Sequence, residues 1–198
     1  MSYLLTQSLL SAWQWAMKSE DGAEDFIKAL HRERTPQTSA MLDGIKFEGM
    51  VTAACEGEVI DPEHKWATGV KSVANVVQGG VFQVKLSRNM LIDGVEFCLY
   101  GILDVLKAGH IYDIKKTVNA SHYRTNKYVN SPQHPMYFAL CEEAKDFTYL
   151  ISDGKELWRE RYTPSITRPI KYDIKAFMAF LDKQGLVDTY CEYWKSKY

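Results

Sequence analysis

Apolar positions recur with two different periods along the chain, and the period changes near residue 80. Before that point the spacing is helical. Thr6 and Ser8 stand as caps before LLSAWQWAM, where Leu9, Trp13 and Met17 lie on one face. A second helix is predicted from Ala23 to Arg34, stopped by Pro36. A third opens at Ser39 and runs through AMLDGIKFEGMVTAACEGEVI to about Ile60, before Pro62. A fourth covers Glu63 to Gln78 and is closed by Gly79-Gly80.

Alternation then takes over. In VFQVKLSRNMLI, Val81, Gln83 and Lys85 oppose Phe82, Val84 and Leu86, which predicts a strand. Asp93-Gly94 is a hairpin signal, VEFCLYGILDVLK a second strand, Ala108-Gly109 another tight turn and HIYDIKKT a third strand. Short turns between three strands imply an antiparallel meander. Ser131 followed by Pro132 opens a helix over PQHPMYFALCEEA. DFTYLISDGKELWRERY reads as two strands around Asp153-Gly154, and two helices follow, Tyr172 to Lys183 and Leu186 to Lys197. The expected architecture is one α/β (α+β) domain over residues 1–198. Residues 1–80 form a mainly helical part, 81–163 a central mixed sheet of about five strands, and 164–198 C-terminal helices.

Composition narrows the class. A chain of 198 residues with 46% hydrophobic and 25% charged residues is globular. Lys+Arg (24) and Asp+Glu (25) give a net charge of −1, which excludes a strongly basic protein. No apolar run approaches the roughly 18–20 residues of a membrane span. The first residues lack a basic leader, so a cytoplasmic protein without a membrane partner is expected. Cys55, Cys98, Cys141 and Cys191 are widely spaced, with no CxxC. That argues for reduced cysteines, and against a zinc finger or an iron–sulfur cluster.

Chemistry concentrates in GILDVLKAGHIYDIKKT. Asp104 interrupts an apolar strand, and Asp113 and Lys115 share a face of the next strand, with Lys116 on the other. The turn at Ala108-Gly109 brings Asp104 and Asp113 to matching distances. Two converging carboxylates repel, and a hard divalent cation is a common way to stabilise them. A lysine beside them can hold a water or steady charge on a phosphate. The plain alternative is a surface salt bridge between Asp113 and Lys115 or Lys116.

The order of these motifs resembles the PD-(D/E)xK nuclease superfamily, in its RecB-like and lambda-type exonuclease branch. Gly101 to Asp104 is similar to the G-x-x-D strand, and Asp113-Ile114-Lys115 to the D-x-K that follows its hairpin. Gln133 to Tyr137 fits the Q-x-x-x-Y motif, and Glu48 in GIKFEGMV stands where that branch places a His or Glu on a long helix. The opening LTQSLLSAWQWAM resembles its serine-and-aromatic helix. Departures are Leu103 in place of the proline before Asp104, Asp113 in place of the commoner Glu, and the absence of iron–sulfur cysteines.

The resemblance implies a restriction-endonuclease-like core and a metal-dependent exonuclease acting on DNA in recombination or phage DNA processing. Glu48, Asp104, Asp113 and the Ile114 carbonyl would hold one or two Mg²⁺ or Mn²⁺. Lys115 would position the attacking water, and Gln133 and Tyr137 would steady the lysine and the DNA strand. Phage or prophage origin and a single-strand annealing or recombination partner belong to the same expectation.

From Lys107 to Tyr128 five basic residues meet one acid. Lys116, Arg124, Lys127 and Tyr128 are therefore candidate DNA contacts. Glu56 and Glu58 are alternative first acids. Trp13, Trp15 and Trp158 read as packing residues. The aromatic C-terminal helix reads as packed on the sheet, or as a homo-oligomer interface where a stripe stays exposed. A catalytically silent nuclease-fold protein that binds DNA or a protein partner is the second functional expectation.

Overall fold

Two tight turns set the register of the sheet. Asp93 and Gly94 have φ of 50° and 82°, and Ala108 and Gly109 have φ of 51° and 84°. Two-residue turns with both φ positive match the twist of antiparallel strands. β2 (Val81–Ile92), β3 (Val95–Lys107) and β4 (His110–Lys116) accordingly run antiparallel in sequence. The computed structural model describes residues 2–118 and 126–196. Helix α5 (Gln133–Leu140) leads into β5 (Asp146–Ser152), which is parallel to β4, and β6 (Leu157–Tyr162) returns antiparallel.

The described residues form six strands, where about five were expected. The sixth is β1 (Ser2–Thr6), at the start of the stretch whose pattern reads as helical, and it lies parallel to Glu96–Tyr100 of β3. Its apolar run is too short for periodicity to separate strand from helix. Thr6 ends the strand and caps α1 (Gln7–Ala16), its Oγ1 accepting from the Leu9 N–H at 3.3 Å. The far edge of β1 is also paired. Leu4 N–H donates to the Trp194 carbonyl at 2.6 Å, and Ser196 N–H to the Ser2 carbonyl at 2.9 Å.

The sheet separates two apolar cores. The larger holds Leu9 and Trp13 of α1, Phe26 of α2 (Glu20–Leu30), Met136 of α5, Phe177 of α6 (Lys171–Gln184) and Tyr190 of α7 (Val187–Tyr193). The smaller holds Phe47 and Val51 of α3 (Ser39–Cys55), Val70 and Val73 of α4 (Ala67–Val77), Trp66, Val105, Ile114 and Leu150. Of the C-terminal helices, α7 meets the sheet at β1, where the Tyr190 hydroxyl donates to the Leu4 carbonyl at 3.0 Å, whereas Phe177 of α6 packs on Trp13 and Phe26. Trp15, expected inside, is exposed.

Helix α3 stops at Cys55 rather than near Ile60, because Gly57 takes φ 94° just past its cap. Helix α4 begins at Ala67, later than expected. All four cysteines are free, and Cys98 alone among them is buried. No helix among the described residues is long and apolar enough to cross a membrane.

Candidate active site

The β3–β4 ladder pairs Lys107 with His110, Leu106 with Ile111 and Val105 with Tyr112, and stops there. The next residues in that register are Asp104 and Asp113, so the two acids face each other where the strands part. Asp104 Oδ2 accepts a hydrogen bond from the Ile114 N–H at 2.8 Å. Asp113 is buried, and Lys115 Nζ lies 2.7 Å from its Oδ2.

Strand β2 is irregular at the same level. Its register with β3 is unbroken from Val81–Leu106 to Ile92–Val95, except that Gln83 and Asp104 do not pair. Gln83 has φ 53°, in the left-handed region. The faces exchange here too. Phe82 and Val105 belong to the smaller core, whereas Val84 and Leu103 belong to the larger. Undisturbed alternation would keep Phe82 and Val84 on one face. Both strands therefore turn over together at Gln83 and Asp104.

Helix α5 closes the fork from the larger-core side. Gln133, the first residue of α5, is buried and its Nε2 donates to Asp113 Oδ1. Gln133 thus grips the acid rather than Lys115. One turn on, the Tyr137 hydroxyl donates to the Ile102 carbonyl at 2.8 Å. Its ring lies over Gly101, where a Cβ would stand 2.5 Å from Tyr137 Cε1. That contact is a reason for glycine three residues before Asp104.

Glu48 arrives from α3, half-buried, with Gln83 Nε2 donating to its Oε1. Gly44 and Gly49 flank it, but nothing lies within 4 Å of a Cβ at either position. Glycines inside a helix suggest close approach of another backbone, and here the packing makes none. Glu56 and Glu58 are exposed at the end of α3.

The electrostatics are those of crowded carboxylates. Burial, then the charges of Asp113 and Glu48, raise Asp104 well above the usual aspartate range, against the pull of the Ile114 N–H and Lys115. Burial also raises Asp113, opposed by Lys115 and Gln133. Glu48 is raised by burial and by Asp113, and eased by Lys115 and Gln83. Burial works against the Lys115 ammonium, but Asp113 outweighs it and the group is held above its ordinary value.

As the side chains stand, no three His, Cys, Asp or Glu groups among the described residues form an ion cage. The donor chemistry nevertheless suits a hard divalent cation. The buried Asp113 Oδ2 accepts no well-angled hydrogen bond and relies on the Lys115 ion pair. Asp104 and Glu48 lie close enough for burial and repulsion among the acids to raise them both. The three carboxylates fit Mg²⁺ or Mn²⁺, with Ile114 anchored by its N–H to Asp104.

Candidate contacts for a polymer lie on both sides of the fork. Tyr128 stacks on Tyr149 at 4.2 Å, and its N–H donates to Glu160 Oε1 at 3.0 Å. Lys127 is exposed, with its ammonium 5.5 Å from the Tyr128 ring. Arg124 lies outside the described residues. Lys116 turns to the other face, 5.1 Å from the Trp66 ring centroid, and donates to the Thr117 carbonyl at 2.6 Å. Lys46 and Lys65 meet the same ring at 5.8 and 4.7 Å. The sequence pattern singles out neither lysine, although Lys65 directly precedes Trp66. By alternation alone, Gln83 is an ordinary strand position.

No family model matches the chain, and no curated protein matches it. Among solved structures it is similar to one titled "Crystal structure of SSO0001". The TM-score is 0.55 at 11% identity, covering 93% of this chain and 78% of that one. The likeness concerns the fold: an α/β chain with a mixed sheet flanked by helices.

Proposed function

We propose that the chain is a metal-dependent nuclease of the PD-(D/E)xK type, a DNA exonuclease. The observation that carries this reading is the meeting of Asp104 and Asp113 at the fork between β3 and β4, with Lys115 2.7 Å from Asp113. Glu48, Asp104 and Asp113 would hold Mg²⁺ or Mn²⁺, which would neutralise the scissile phosphate and make a water more acidic. Lys115 supplies a charged donor to orient that water and to steady charge on the phosphate. Gln133 holds the Asp113 carboxylate in place from the head of α5.

A nucleic-acid substrate is supported by Lys46, Lys65 and Lys116 around Trp66, none of which forms an ion pair among the described residues. Phosphates are the natural counter-charge for such a group.

A nuclease-fold chain that binds nucleic acid without cutting it is the second reading. It is favoured by the present engagement of Asp113 with both Lys115 and Gln133. One assay separates the two. Linear DNA is incubated with the chain and Mn²⁺, with EDTA and Lys115→Ala as controls. The nuclease reading expects cleavage that disappears in both controls. Cleavage that persists in excess EDTA, or none with Mn²⁺ present, sinks it.

A further inference from the structure

We propose that Gln83 is a positioning residue, whose amide aims the Glu48 carboxylate toward Asp104 and Asp113. The inference rests on the metal-site reading above and adds to it a residue outside the acid, lysine and α5 groups.

Three observations converge on Gln83. Its backbone sits at φ 53°, two residues into a twelve-residue strand. Glycine or asparagine accepts that region far more readily than glutamine. Backbone strain of this kind at a residue with a long side chain is a mark of functional sites. Second, Gln83 is the residue opposite Asp104 in an otherwise continuous register, and both strands exchange faces at this pair. One distortion thus sets both the direction of an acid and the direction of the amide. Third, the amide Nε2 donates to Glu48 Oε1, the one side-chain hydrogen bond of that carboxylate among the described residues.

The choice of an amide is chemically pointed. Lys or Arg would hold a carboxylate more strongly but would cancel charge that a divalent cation needs. A neutral NH₂ fixes one oxygen and leaves the charge, and the second oxygen, available. Partners of this kind around a metal site typically change metal affinity by tenfold or more.

The test is Mn²⁺ binding by titration calorimetry on the whole chain, with thermal unfolding beside it. Gln83→Gly removes the amide and relieves the backbone. Gln83→Met removes the amide and keeps both length and strain. Both variants should bind Mn²⁺ about 10- to 100-fold more weakly, and Gln83→Gly should melt at or above the wild type. Unchanged Mn²⁺ affinity in both overturns the proposal. Weakening in Gln83→Gly alone assigns the effect to the backbone and overturns it too. A Gln83→Gly chain melting far below the wild type marks a structural residue and likewise overturns it. Failure of the underlying metal reading looks different: the wild type itself would show no Mn²⁺ binding that Asp104→Asn removes, and the proposal falls with it.

Discussion

Asp104 takes the backbone N–H of Ile114 at 2.8 Å, across the point where β3 and β4 stop pairing. Lys107 and His110 close a two-residue turn, and hydrogen-bonded pairs alternate along an antiparallel ladder. Continued regularly, the ladder would give the Ile114 N–H to the carbonyl of Leu103. The Asp104 carboxylate takes that place, so the strands part without orphaning a donor. The same bond tethers the acid beside Asp113, at the cost of crowding two negative groups.

That crowding predicts a stability gain on removing the charge. Because the folded state holds the Asp104 proton more tightly than the unfolded chain, its contribution is present at low pH and is lost as pH rises through the raised folded value. Asp104→Asn keeps an oxygen for Ile114 and escapes this loss. It should raise the Tm at neutral pH by the few degrees that about 1 kcal/mol gives in a chain of this size. The gain should shrink toward acid pH and vanish below the ordinary aspartate range. Thermal melts across pH check this, and a gain that grows on acidification contradicts it.

Lys115 and Lys116 are neighbours on opposite faces of β4, one beside Asp113 and the other beside Trp66. Lys115→Ala deletes the ammonium beside Asp113 and should lower Mn²⁺-dependent turnover by about 10²- to 10³-fold. Lys116→Ala should leave turnover within a few-fold and weaken retention of DNA. Cleavage rates at saturating DNA, compared with filter binding, separate the two. Equal loss of turnover in both would contradict the observed facing of the side chains.

The lysines around Trp66 predict a salt effect. Each lysine neutralising a duplex phosphate contributes about 0.9 to the slope of log affinity against log salt. Lys46→Ala with Lys65→Ala should therefore make that slope shallower by roughly 1.5–2. The measurement is binding of non-specific duplex in EDTA, where nothing is cut. An unchanged slope removes this face from the DNA path.

Gly101 is enclosed by Tyr137 and Leu140, whose Cε1 and Cδ1 would stand 2.5 and 3.0 Å from a Cβ. Gly101→Ala should cost about 1–3 kcal/mol by overpacking, read from urea unfolding. Shortening the neighbour, as in Gly101→Ala combined with Tyr137→Leu, should cost less than the sum of the two single changes.

The meander was legible because its turns are chemically explicit: Asp-Gly and Ala-Gly fix registers that place Asp104 level with Asp113. Gln133 and Tyr137 were legible as neighbours one helical turn apart. Which group Gln133 would hold was not, since that depends on how α5 settles on β4. Nothing in the alternation of VFQVKLS marks Gln83 as left-handed, for the irregularity is shared with a strand about twenty residues away. Glycines in α3 suggested a tight approach that the packing does not use. Lys46, Lys65 and Lys116 come from three separate segments, and only the folded chain gathers them around one ring.

Seating β1 between β3 and the strip around Trp194 also orders events during synthesis. Residues 2–6 leave the ribosome nearly two hundred residues before one of their two flanking partners is made. Until Trp194 and Ser196 are available, β1 keeps an open edge, and Tyr190 and Trp194 are missing from the larger core. Contacts this distant along the chain are slow to form. The acid-bearing hairpin, whose turns are local, can assemble while the sheet's outer border still waits for Trp194 and Ser196.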